Sequence, residues 1–157
     1  MSAPASLRIL VDADACPVKE EIYKVAWRHE VPVTLVSNQH LRIPAHPLVG
    51  KIVVGAGFDA ADDWIAEHSG PDAIVVTSDI LLADRCLKAG ASAIAPTGRL
   101  FTANMIGPAI ATRAIMSDLR AGAVGEAIGG PPPFAKADRS RFLQALDAAI
   151  VKGKRGR

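Results

Sequence analysis

A chain of 157 residues, half of them hydrophobic, is of single-domain length and can bury a substantial core. Its formal charge of +2 is too small to mark nucleic acid as a partner by charge alone, and it has no run of about 18 apolar residues that would span a membrane as a helix. Aromatic residues make up only 4%, so Ala, Val, Ile and Leu must fill the core, which suits a parallel sheet covered on both faces and argues against recognition by base-stacking platforms.

Residues 1–6 show no basic region ahead of an apolar stretch, and neither Cys16 nor Cys86 belongs to a Cys-x-x-Cys pair, so a reducing, cytoplasmic location is expected. Leu7 to Asp12 then reads as a buried strand ending in carboxylates, Asp12 and Asp14. A helix is expected from Pro17, with Val18, Ile22, Val25, Ala26 and His29 on one stripe. Val33 to Val36 is the second strand. The segment from Ser37 to Pro47 is too broken by proline to be a helix and long enough to be a functional loop. Lys51 to Val54 is the third strand, and Phe58, Ala61, Ile65 and His68 mark a helix stopped by Ser69-Gly70-Pro71. Ala73 to Thr77 is the fourth strand, Ile80 to Lys88 a helix with Gly90 as its C-cap, and Ser92 to Ile94 a short fifth strand.

After Pro96-Thr97-Gly98 the pattern turns helical. Thr102 can cap a helix towards Leu119 that Gly107-Pro108 kinks or splits, and Gly129 to Phe134 is a stiff proline-rich excursion. Asp138 can cap a last helix, 138–151, with Phe142, Leu146, Ala149 and Ile150 on one face, and 152–157 is a basic tail expected to be disordered. Alternating strands and helices imply right-handed crossovers and a parallel sheet. The expectation is one α/β domain, core about 7–120, with helical additions at its C-terminal end.

The acids carry the chemistry. Asp outnumbers Glu by 11 to 5, and seven of the aspartates fall in three clusters. Asp12 and Asp14 follow the first strand. Asp79 follows the fourth, with Asp84 one turn into the next helix. Asp59, Asp62 and Asp63 open the second helix, where Asp59 and Asp62 share a side. Ligands of open parallel sheets bind at the carboxyl ends of the strands. Mg²⁺ and Mn²⁺ take oxygen donors, need only one or two direct carboxylates, and place and polarise phosphate groups. Each cluster also has a structural use: Asp79 can cap its helix, and Asp59 with Asp62 suit a helix dipole. Asp12, at the end of a central strand, needs partners.

Asp12-Ala13-Asp14-Ala15-Cys16-Pro17, Gly57-Phe58-Asp59-Ala60-Ala61-Asp62, Thr77-Ser78-Asp79-Ile80-Leu81-Leu82-Ala83 and Gly129-Gly130-Pro131 together resemble the YaiI/YqxD family of bacterial proteins, as do Asn38-Gln39 and Arg42-Ile43-Pro44. That family is grouped with PIN-like domains, three-layer sandwiches whose nucleases hold Mg²⁺ or Mn²⁺ with clustered acids. The resemblance implies a five-stranded, mostly parallel sheet in the order 3-2-1-4-5, which makes the first and fourth strands neighbours. It implies Asp12 and Asp79 as the central catalytic acids, a metal set drawn from Asp12, Asp14, Asp59, Asp62, Asp79 and Asp84, and RNA or DNA as substrate. Asn38, Arg42, Thr77, Ser78 and Arg139, within or beside the matching segments, are the expected substrate contacts, and Arg113, Arg120 and Arg141 are further candidates for phosphate.

Strand-Asp12-x-Asp14 also resembles the first motif of haloacid-dehalogenase phosphatases, where the first Asp is nucleophile; a helix directly after Asp14 would leave no room for the flap of that fold. Cys16, near a helix start where thiol pKa values fall, is a further nucleophile candidate, and His40 and His46 are candidates for substrate or metal in the broken loop. The expected function is a metal-dependent nuclease. The alternatives are a non-catalytic RNA- or partner-binding module and an aspartate-nucleophile phosphatase.

Overall fold

The computed structural model describes residues 7–55, 60–108 and 134–155. Five short strands, β1 (Arg8–Asp12), β2 (Val33–Ser37), β3 (Val49–Val53), β4 (Ala73–Val76) and β5 (Ser92–Ile94), pair in parallel in the order β3-β2-β1-β4-β5. The register sets Asp12 against Val36 on one side of β1, and Val11 against Val76 on the other. The fold expected from the sequence, including the strand order, is therefore the fold observed.

Side-chain alternation builds two cores. Ile9, Val11, Val33, Leu35, Ile74, Val76 and Ile94 face α1 (Lys19–His29) and the C-terminal helix α4 (Lys136–Arg155). Leu10, Val36, Val75 and Ala93 face α2 (Ala60–His68) and α3 (Ile80–Lys88). Phe142, Leu146 and Ile150 of α4 are fully buried, as their four-residue spacing requires. Burying a side chain of this size contributes about 1.5–3 kcal/mol. Gly98 lets α4 approach: its φ is +90°, and a Cβ there would lie 2.6 Å from the Arg141 carbonyl carbon.

β2 and β3 are parallel strands joined by residues 38–48 without a helix. Leu41 and Ile43 pack that connection onto the α1 face of the core, and the His46 ring stacks 4.6 Å from Trp27. Lys51 Nζ donates to the Leu41 carbonyl at 2.9 Å. The long loop is thus fastened along α1.

Several boundaries differ from expectation. Chain direction changes after Asp12 through a 3-10 turn, Ala13–Ala15, so α1 starts at Lys19 rather than Pro17. β3 begins at Val49, because pairing with β2 recruits Val49 and Gly50 beside Val33 and Thr34. α4 starts at Lys136; Asp138 lies in its first turn and accepts from the Ala135 N–H at 2.9 Å rather than occupying the cap itself. α4 also runs on through residues 152–155, where the sequence suggests a disordered tail: Lys154 Nζ donates to the His29 carbonyl at 2.5 Å, and Gly153 sits against Leu7. Residues 103–108 are helical, with Thr102 Oγ1 accepting from Met105 N–H at 3.3 Å; the remainder of that expected helix, and 129–133, lie outside the described residues. No helix among the described residues is long and apolar enough to cross a membrane.

Candidate functional site

Chain order reverses between β1 and β4, since β2 and β3 lie to one side of β1 and β4 and β5 to the other. Such a reversal opens a crevice at the carboxyl ends of the strands. Asp12 closes β1 there, on the α2/α3 face by its two-residue spacing from Leu10. Thr77, directly after β4 and 2% exposed, donates its hydroxyl to Asp12 Oδ2 at 2.9 Å. The same hydroxyl accepts the Asp79 N–H at 3.0 Å, and Asp79 Oδ1 accepts the Leu81 and Leu82 N–H groups at 2.9 and 3.4 Å, capping α3. One buried hydroxyl therefore joins the two strand-end aspartates.

Burial pushes the Asp12 carboxyl above its ordinary range; repulsion from Asp14 and Asp79 adds to this, and the Thr77 hydrogen bond opposes it. Asp12 Oδ1 takes no hydrogen bond from the described residues. Asp14, on the exposed side of the 3-10 turn, has both oxygens engaged: Oδ1 accepts from Ser37 Oγ at 2.5 Å and Oδ2 from the Asn38 N–H at 3.0 Å. Ser37 Oγ also accepts the Gln39 N–H at 3.0 Å. Asp14 thus anchors the start of the β2–β3 loop while its charge reaches Asp12. Sequence reasoning misses Ser37 as part of the site; its only signal there is a small hydroxyl ending an apolar strand.

The other expected residues are distributed more widely. Asp62 lies in the first turn of α2, where its charge acts on the buried Cys86 thiol. Asp63 pairs with Arg85 at 2.9 Å. Asp84 pairs with Lys88 at 2.9 Å and lines a hollow with Leu87, Ala103 and Ile106. Asp59, Arg113 and Arg120 lie outside the described residues. Among the described residues, no three His, Cys, Asp or Glu side chains are grouped so that they could hold a metal ion. Asp12, Asp14 and Asp79 do share one edge, and the donors there are all oxygens, the type that Mg²⁺ and Mn²⁺ take with one or two direct carboxylates and several waters.

Ser78 is exposed in the turn between Thr77 and Asp79, and Asn38 is exposed with its N–H on Asp14. Arg42 is exposed on the β2–β3 loop, in a groove against α1. Arg139 reaches inward: it donates to the Pro17 carbonyl at 2.7 Å, pairs with both Glu21 oxygens at 3.3 Å, and lies 5.0 Å over the Phe134 ring. It fastens α4 to the start of α1, just after the 3-10 turn that carries Asp14. Arg141 pairs with Asp138. Cys16 reverses the expectation for a thiol near a helix start, because burial pushes it up to about 11 and α1 begins three residues later. His40 stands 3.4 Å from Lys51 Nζ, and His46 is spent on Trp27 and the Leu48 N–H. Between Asp14 and α1 only four residues intervene, too few for the flap of an aspartate-nucleophile phosphatase. An apolar hollow of about 520 Å³ lies at the opposite end of the strands, between Leu7, Pro71, Leu100 and Ala149.

The family described as "Uncharacterized BCR, YaiI/YqxD family" matches residues 10–152. Similar chains include a UPF0178 protein of Sphingopyxis alaskensis, 70% identical over 99% of each chain. UPF0178 protein RPA2191 of Rhodopseudomonas palustris is 58% identical over 98% of this chain and 96% of its own. A UPF0178 protein of Caulobacter vibrioides is 58% identical over 94% of this chain and 95% of its own. No solved structure matches the chain.

Proposed function

The chain belongs to the YaiI/YqxD family, and we propose that it is a metal-dependent phosphodiesterase acting on nucleic acid at the crevice between β1 and β4. The observation that carries this reading is Asp12: a carboxylate largely withdrawn from water, placed where strand order reverses, and set in the field of two like charges. Asp14 and Asp79 each have a structural partner of their own, yet each like charge opposes the ionisation of Asp12, and a bound cation would offset that repulsion. The strand order β3-β2-β1-β4-β5 supports the likeness to PIN-like nucleases.

The chain's own groups divide the work. Thr77 fixes the plane of the Asp12 carboxylate and leaves Oδ1 directed away from that bond. Asp79 is immobilised by the α3 amides and by Thr77, so the two acids are held at fixed separation. Asp14 sets the start of the loop that carries Asn38 beside it and, further on, Arg42 in the groove against α1. Mg²⁺ or Mn²⁺, held by Asp12 and Asp79, would supply positive charge to the phosphoryl oxygens and lower the pKa of the attacking water.

A binding module without turnover is the second reading. The specific observation in its favour is that Asp14 and Asp79 are already committed to loop and helix amides. Calorimetric titration of Mn²⁺ into the protein, beside Asp12→Asn and Asp79→Asn, tests the first reading, followed by cleavage of single- and double-stranded RNA and DNA. Binding lost in both variants, with metal-dependent cleavage in the parent alone, is the expected result. Nucleic-acid binding with no metal uptake at millimolar Mn²⁺ would leave the second reading.

A further inference from the structure

A groove of about 370 Å³ runs between α1 and the β2–β3 loop. Lys19, Tyr23 and Trp27 recur every four residues and so share one side of α1, while Ile43 and Pro44 form the opposite wall and Arg42 its rim. The walls are fixed before any ligand arrives. Tyr23, Trp27 and His46 stack in series, with centroids 5.8 and 4.6 Å apart, and Lys51 ties the loop back through the Leu41 carbonyl.

The described cations divide into those that pair with a carboxylate and those that do not; this groove gathers two of the second kind, to which Lys24, Lys51, Arg99 and Lys136 elsewhere also belong. Arg8, Arg28, Arg85, Lys88, Arg139 and Arg141 each pair with a carboxylate. Lys19 and Arg42 pair with none among the described residues, although Glu20 lies in the same lining. Two cations left without counter-charge beside a flat apolar wall suit a ligand with both phosphate and ring. The groove starts close in the chain to the acidic edge: only Cys16, Pro17 and Val18 separate Lys19, the first residue of α1, from the 3-10 turn that carries Asp14.

We infer that this groove is a subsite for single-stranded nucleic acid, with phosphates on Lys19 and Arg42 and one unpaired base against the Tyr23–Trp27–Pro44 surface. A paired base keeps its ring faces inside the duplex stack and cannot reach that wall, so duplex is disfavoured. The inference rests on the nucleic-acid reading of the acidic edge and narrows it to a single-stranded substrate approaching along α1.

The test is binding of a short oligouridylate, and of the same strand in a duplex, to the whole protein in EDTA, beside Lys19→Ala/Arg42→Ala and Arg42→Glu. Neither cation makes an ion pair among the described residues, so melting temperature serves as the folding control. The parent should bind the single strand at least tenfold tighter than the duplex, with quenching of Trp27, which is 36% exposed in the groove wall. The double variant should bind at least tenfold more weakly, and its salt dependence should fall by about 1.4 in slope, 0.7 for each phosphate that is no longer neutralised. Equal binding of duplex, or unchanged affinity and salt slope in the folded double variant, overturns the subsite. EDTA keeps this separate from the hydrolytic reading. Groove binding without Mn²⁺-dependent cleavage would refute only the enzyme, and cleavage whose KM ignores both cations would refute only the subsite.

Discussion

Asp79 is where the structural and the chemical reading of one side chain can be separated. Its Oδ1 accepts two α3 amides, so Asp79→Ala removes an N-cap and should cost about 1 kcal/mol. For a chain of this size that is a melting temperature lower by about 2–4 °C in EDTA. The bond from the Asp79 N–H to Thr77 is made by backbone and survives. Asp79→Asn keeps a side-chain oxygen for the cap; it loses a few tenths of a kcal/mol of favourable charge at the helix start and gains relief of repulsion with Asp12. The two should nearly cancel, leaving stability within about 0.5 kcal/mol of the parent. Metal response should not follow this order. At a hundredfold excess over Kd, Mn²⁺ should stabilise the parent by about 2.7 kcal/mol, and neither variant should show that rise. Paired thermal melts with and without Mn²⁺ read both quantities. If Asp79→Asn gains as much from Mn²⁺ as the parent, Asp79 is a cap and nothing more. If Asp79→Ala melts with the parent in EDTA, the capping argument itself is wrong.

Because the folded state raises the Asp12 pKa above its unfolded value, the protonated form is favoured by folding below the unfolded value near 3.8, and that advantage is lost as pH rises through the folded value. In EDTA, Asp12→Asn should therefore be at least as stable as the parent at pH 7 and converge with it towards pH 4, as urea denaturation would read; a deficit that grows with pH would contradict the burial argument. Gly98→Ala places a Cβ against Arg141 backbone at positive φ and should cost about 2–3 kcal/mol, and Phe142→Ala, at the same contact between α4 and the sheet, about 3–5 kcal/mol. Urea midpoints check both, and a Gly98→Ala change under 0.5 kcal/mol would mean that α4 does not press on that turn. Cys16, with its thiol near 11, should resist iodoacetamide at pH 7.5 until urea unfolds the chain; rapid native alkylation would show an ionised thiol instead.

The acidic edge was legible in part. Asp12 and Asp79 were readable because each ends an apolar strand, a position that depends only on local pattern. Asp84, a weaker match from its place in the next helix, pairs with Lys88 one turn on, a contact that its i,i+4 spacing made readable. Arg139, an expected substrate contact, holds α4 onto Glu21 and Pro17, a pairing across more than a hundred residues that no local rule reports. Low aromatic content gave no hint that folding gathers Tyr23, Trp27 and His46 into one stack.

By itself the sequence determined the alternation of strands and helices, the parallel class and the carboxylates at strand ends, because hydrophobic period and capping chemistry act over a few residues. Tertiary structure alone decided what those carboxylates meet. Ser37 reaches Asp14, Thr77 bridges Asp12 to Asp79, and the loop lies against α1, because strands distant in sequence are brought edge to edge and each buried polar group must then find its partner among residues the chain order does not place nearby.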